Sequence, residues 1–247
     1  MEQEIKTLLG KLTDKKNIYL VKRGNNAIKQ LTNLFKDKIF LIPDQGGWIT
    51  YYQYPKHFIY YQTDYGLLKN DINFDREKYV LLINSNPGYF ALQDIKTNFK
   101  GLIINDASGS IGYPQSKKGE IIFGSFGEDK IIDLGYGGFI ATNLDLEIKE
   151  EFEKEKLGLL YEKLKNIKKR ISFLENIHKK IKTDLKNYGI IHKNIKGINV
   201  IVKFNNEKEK QEIENYCRKN NYEFTLCPRY IRVRENAVSI EVKRLKC

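Results

Sequence analysis

The chain has 247 residues, enough for one large domain or a medium domain with a small one. With 41% hydrophobic and 30% charged residues it has a globular balance, and no run approaches the roughly 18 apolar residues of a membrane span. The formal charge of +12 leaves open an anionic ligand or a nucleic-acid surface. Of the 43 basic residues only 8 are Arg and 35 are Lys, whereas phosphate and base recognition favours the planar Arg fork. The lysines concentrate in 149–186, alternating with Glu and Leu/Ile at helical spacing. That pattern reads as a solvated helix face rather than a nucleic-acid patch, so nucleic acid is not an expected partner. The charged start, MEQEIKTLLGKLTDKKN, lacks the apolar core of a secretory signal. Cys217, Cys227 and Cys247 form neither a CxxC pair nor a disulfide framework, and the three histidines (His57, His178, His192) are scattered. A reducing cytoplasm without a metal site is the expectation.

In chain order, IYLV (18–21) reads as a strand. Ala27, Ile28, Leu31, Leu34 and Phe35 then share one helical face. IFLIP (39–43) is a strand ending at Pro43, and GGWITYYQYP suits a short helix or loop. FIYYQ (58–62) and YVLLIN (79–84) are strands. NPGYFALQDI (86–95) begins a helix, with Pro87 in its first turn. GLIIND (101–106), EIIFGSF (120–126) and GGFIATN (137–143) are further strands. Strands alternating with helices predict an α/β fold, a three-layer mainly parallel sheet flanked by helices, with ligands at the strands' C-terminal ends. Gly24, Trp48, Asp106 and Ser125 each follow a strand closely.

From 144 to 188 the spacing predicts a long helical stretch, broken near Gly158, with Leu159, Leu164, Ile167, Ile171, Leu174, Ile177 and Ile181 on its apolar face. The remainder reads as a small α+β unit: INVIVKF strand, EKEKQEIENYCRKN helix, YEFTLCP extended, YIRVRE and AVSIEVKRL strands. The boundary falls near 145, giving a large domain over 1–145 and, over 146–247, the helical stretch with the small C-terminal unit. The helical stretch either belongs to the second unit or bridges the two.

The segment 101–143 concentrates the chemistry. Asp106 ends one strand, Ser125 and then Lys130 follow the next, and the turn GYGG leads into a third. A lysine, a strand-end carboxylate and a serine near a helix start are the parts that pyridoxal phosphate needs: an amine to hold it, an acid for the pyridine nitrogen, and donors for the phosphate. In order and spacing, DASGSIG, SFGEDK, GYGG and FIATN resemble the DegT/DnrJ-type sugar aminotransferases, fold-type I pyridoxal-phosphate-dependent enzymes. The resemblance covers roughly residues 17–145.

The resemblance implies that Asp106 pairs with the pyridine nitrogen, Ser125 touches the phosphate and Lys130 forms the internal aldimine. GNNA (24–27) matches the family's phosphate cup and nominates Asn25 and Asn26; both would equally serve as helix caps. Trp48 is the candidate for stacking on the cofactor ring, with a core or subunit-interface role as the alternative. Arg232 is the candidate for binding a substrate carboxylate, against a strand arginine facing solvent. The resemblance further implies an amino donor and a keto acceptor, such as a keto-sugar or other anionic keto compound, and a homodimer. Three departures stand out: Gly109 replaces the family's Gln or His, Asn replaces the hydroxyls of the cup, and the chain is short. They motivate an alternative, a non-catalytic relative acting as a binding or regulatory partner.

Overall fold

The computed structural model describes residues 1–69 and 77–246, leaving Cys247 outside the described residues. Its strands arise where the apolar runs do. The chain opens with α1 (Glu2–Thr13), then β1 (Asn17–Val21), α2 (Gly24–Leu34), β2 (Ile39–Pro43) and β3 (Phe58–Tyr61). A small hairpin of β4 (Thr63–Asp64) and β5 (Leu67–Leu68) follows, then β6 (Tyr79–Asn84), β7 (Leu102–Asp106), β8 (Ile121–Ser125) and β9 (Gly138–Thr142).

Seven of these strands form one sheet in the order β1-β9-β8-β7-β6-β2-β3. The strands from β3 to β8 pair in parallel, whereas β9 is antiparallel to both β8 and β1. The register sets Asn84 beside Asp106, and Gly138 between Ser125 and Val21. The C-terminal ends of β1, β6, β7 and β8 therefore share one edge of the sheet.

Period-two alternation decides what each face buries. Val21, Val80, Leu82, Ile104, Phe123 and Ile140 point to the side covered by α2. Ile18, Leu20, Ile122, Phe139 and Ala141 point to the side covered by α1 and by two later helices, α3 (Leu157–Lys165) and α4 (Ile167–Asp184). Leu41, Leu81, Ile83 and Ile103 complete that side with Phe99. The mainly parallel sheet flanked by helices is the expected fold class.

Its connections differ from the expectation. Among the described residues between α2 and α3 there is no α-helix, only short 3-10 turns. The helix expected over 86–95 is a single 3-10 turn, Pro87–Tyr89, because Gly88 and Tyr89 both adopt positive φ (54° and 69°) and stop propagation. The helical expectation for 144–156 also fails. Residues 145–153 run without helix along β1 and α2 before a 3-10 turn at Lys154–Lys156: the Leu20 amide donates to Glu150, the Glu151 amide to the Leu20 carbonyl, and Gln30 bridges the backbone of Lys149. Leu146 and Ile148 are pinned onto the α2 core. The helical break lies at Asn166 rather than Gly158. Leu164, Ile167, Leu174 and Ile181 are buried as expected; Leu159 is 51% exposed and Leu160 takes its place.

The C-terminal part adds β10 (Gly189–Ile190), β11 (Val200–Lys203), α5 (Glu207–Lys219), β12 (Phe224–Cys227) and β13 (Ala237–Ile240). Its four strands form an antiparallel sheet in the order β10-β11-β13-β12. The expected strand YIRVRE is instead a turn leading to β13. One core joins the two sheets, holding Val200, Val202 and Val238 together with Leu160, Leu174, Ile122 and Phe139.

Candidate active site

At the shared strand edge lies a pocket of about 70 Å³, partly open to solvent. Asn25, Trp48, Asp106, Ser125, Lys130 and Arg232 all line it. Asn26 does not: its side-chain oxygen accepts from Gln30 at 2.9 Å, along the outside of α2. Neither asparagine caps α2, whose N-cap is Arg23.

The cup forms where β1 turns into α2. No side chain caps α2, so N–H groups of its first turn are open to an anion. Gly24 brings that turn against β8: a Cβ there would lie 2.7 Å from Ser125 Cβ. Ser125 ends β8 with its amide donated to Ser108 Oγ at 3.0 Å and its own Oγ accepting from the Gly127 amide at 3.1 Å. Beside it, Asn25 Oδ1 accepts from Trp48 Nε1 at 2.8 Å, which orients the indole toward the cavity.

Asp106 sits on the floor, 4% exposed. Tyr51 Oη donates to its Oδ2 at 2.5 Å, and the Ser108 amide donates to Oδ1 at 2.8 Å. Each carboxylate oxygen retains a second lone pair for a ligand N–H. Tyr51 is fully buried, and burial followed by the Asp106 charge pushes its phenol well above the ordinary range, so it remains a donor.

Lys130 is half-buried on the turn after β8, directly after Asp129 at φ 59°. Its Nζ donates to Tyr89 Oη and stands 4.6 Å from the Tyr89 ring centre and 5.5 Å from that of Trp48. The loop is tied to the C-terminal segment: Arg244 and Lys246 reach Asp129 at 3.7 and 3.5 Å, and Lys246 also pairs with Asp133.

Arg232 departs from the solvent-facing alternative. It is 4% exposed and held in a fork by Glu241, Nε to Oε1 at 2.9 Å and Nη2 to Oε2 at 2.7 Å. Thr225 and Ser239 donate to the same carboxylate, as does Asn199. Burial alone pushes the Glu241 carboxyl up, yet the Arg232 guanidinium, with Lys243 and Ser239, outweighs it and holds the group at about 2. Lys243, 5% exposed, lies 3.8 Å from Glu241, and burial followed by the Lys130 charge pulls its amine down to about 7. Glu241 takes up the Nε and Nη2 side of the guanidinium, and Arg232 also lines the cavity.

Tyr51, Tyr89, Ser108, Glu241 and Lys243 escaped the sequence reading. An acid and a lysine two residues apart, directly after the buried run AVSI, were a readable sign of a buried ion pair; nothing in the sequence marked Tyr51 or Tyr89.

The donor set fits pyridoxal phosphate: a helix N-terminus and a serine for the phosphate, a carboxylate with open lone pairs for the ring nitrogen, an indole for the ring and an amine for the aldehyde carbon.

No curated protein matches this chain. Residues 164–247 match the MJ1341 family C-terminal domain. Among solved structures, the chain is similar to 3-amino-5-hydroxybenzoic acid synthase, with 11% identity, a TM-score of 0.69, and 99% of this chain and 86% of that one covered. It is similar to E. coli GDP-4-keto-6-deoxy-D-mannose-3-dehydratase with bound hydrated pyridoxal phosphate, at 15% identity and TM-score 0.67, covering 96% and 86%. A serine palmitoyltransferase from S. paucimobilis matches at 10% identity and TM-score 0.68, covering 97% and 70%. The chain thus has the fold of the fold-type I pyridoxal-phosphate-dependent transferases.

Proposed function

We propose that the protein is a pyridoxal-phosphate-dependent aminotransferase-like enzyme, related in motif order to the DegT/DnrJ type, acting on a keto-sugar or other anionic keto substrate. One observation carries this reading: Lys130, Asp106, Ser125, Asn25 and Trp48, spread over more than one hundred residues, line a single cavity at the C-terminal strand edge.

Bound there, pyridoxal phosphate would supply an electron sink for a carbanion beside nitrogen. The α2 N-terminus and Ser125 would hold the phosphate. Asp106, oriented by Tyr51 and Ser108, would accept the N–H of the pyridine nitrogen. The Trp48 indole would cover the ring and exclude water on one side. Lys130 would hold the cofactor and, once released from it, move a proton at the substrate carbon bearing the amine. A homodimer in the cytoplasm, and the division into a cofactor-binding part (1–145) and a C-terminal part (146–247), belong to the same proposal. Arg232 and Lys243 come from that C-terminal part and reach the cavity wall or its backing, so both parts would build one site.

The reading is tested by single-turnover amino transfer from a panel of amino acids to the cofactor-loaded protein, followed by keto acceptors. Transfer from at least one donor is expected, with Lys130→Ala slower by about 10²–10⁴-fold, the span of a lost general acid–base group. Cofactor binding without transfer to any acceptor would instead favour the non-catalytic relative that Gly109 suggests.

A further inference from the structure

Tyr89 has no counterpart among the residues that mark the site in the sequence, yet it touches the Lys130 amine. Its backbone is in the left-handed region, φ 69°, directly after Gly88 at φ 54°. A tyrosine persists there only where its surroundings hold it. The restraints are visible: the Gly88 amide donates to the Gly46 carbonyl at 2.9 Å, the Tyr89 amide to Asn86 at 2.9 Å, and the Ile198 amide to the Tyr89 carbonyl at 2.7 Å. The ring lies over Gly109, where a Cβ would come within 2.7 Å of Tyr89 Cδ1. Gly109 is therefore the space the ring occupies.

Cations surround this ring. The Lys130 and Lys243 amines lie 4.6 and 5.1 Å from its centre and the Arg232 guanidinium 5.4 Å. Arg232 is neutralised by its fork to Glu241. Lys243 has only the longer 3.8 Å contact with Glu241. A charged Lys243 and a charged Lys130 repel, which opposes movement of the Lys130 amine toward Lys243. The Tyr89 hydroxyl takes one N–H of Lys130, whose side chain lines the cavity and keeps further donors.

We propose that Tyr89 is a positioning residue for Lys130: its hydroxyl, backed by Lys243, fixes the amine at the cavity before any ligand arrives. This rests on the reading that Lys130 is the reacting amine. Tyr89 acts through Lys130 and not on the substrate.

The test uses cofactor-free protein whose lysines are reductively methylated with ¹³C-formaldehyde. The methylated ammonium keeps an N–H for the bond, and Lys130→Arg assigns the Lys130 signal. In the wild type this signal should stand apart from the surface lysines, because two aromatic rings flank the amine. Tyr89→Phe keeps the ring and removes only the hydroxyl. Its Lys130 signal should move into the surface envelope, with the melting temperature little changed. A Lys130 signal already inside the envelope in the wild type, which needs no variant, overturns the proposal. So does one that stays put in Tyr89→Phe. In a second arm, run on unmethylated protein, capture of pyridoxal phosphate by Lys130 should slow about tenfold or more in Tyr89→Phe, the scale of a misplaced reacting group. Equal capture rates also overturn it. A wild type that shows the displaced signal but never captures the cofactor would sink the proposed function and leave the positioning role standing.

Discussion

A carboxylate as buried as Asp106 needs partners for its lone pairs, and it finds them in Tyr51 and the Ser108 amide. Removing one partner from such a pair leaves a buried acceptor unsatisfied, at a cost of about 1–3 kcal/mol. Tyr51→Phe should therefore lower unfolding stability by that amount in a denaturant titration at neutral pH; a midpoint within error of the wild type would show that the bond contributes nothing. Asp106, Ser125 and Lys130 were legible because each lies on or just past a readable apolar strand, within one continuous stretch of sequence. Tyr51 and Tyr89 were not, since their roles come from contacts with residues 55 and 41 positions away. Arg232 was visible as a residue but not as a state: only the fold reveals Glu241 beside it.

At the scale of elements, α4 carries a titratable liability. His178 lies on its buried face, with Nε2 unpartnered, and burial followed by the Lys182 charge pulls its imidazole from 6.5 to about 3. Between those values the unfolded chain binds a proton that the folded chain refuses. Its contribution to stability is then fully present above about pH 6.5 and lost progressively as pH falls toward 3. The expected outcome is a decline in melting temperature from pH 6.5 to 4.5, above the window of Glu241, whose depressed carboxyl loses its contribution only as pH falls from 4.5 toward 2. His178→Leu should flatten the decline; an unchanged slope would place its origin elsewhere. The helical periodicity of 167–184 was readable because a single apolar stripe faces the core. The stretch 144–156 misled because its Leu and Ile residues also fit a helical pattern, while the bonds of Glu150, Glu151 and Lys149 to β1 and α2 hold 145–153 out of a helix. Residues 86–95 misled in the same way, since the left-handed turn at Gly88 and Tyr89 is set by tertiary bonds to Gly46 and Ile198.

Across the whole molecule, the C-terminal part functions as a wall of the cavity. Its turn supplies Arg232, and the segment after β13 supplies Glu241, Lys243, Arg244 and Lys246, which back Tyr89 and tie down the turn that carries Lys130. The sheet order was legible only in outline. Strand runs announce a parallel sheet, but the antiparallel insertion of β9 between β1 and β8 depends on pairing that no local pattern encodes. That insertion nevertheless sets the α2 N-terminus beside Ser125, making the cup and the lysine turn neighbours. Whether this cavity holds pyridoxal phosphate on Lys130 is decided by borohydride reduction of the protein with added cofactor, followed by peptide mapping. One pyridoxyl adduct is expected, on Lys130, together with loss of the visible absorbance band, and neither in Lys130→Ala. An adduct spread over surface lysines, or none on Lys130, would contradict that assignment.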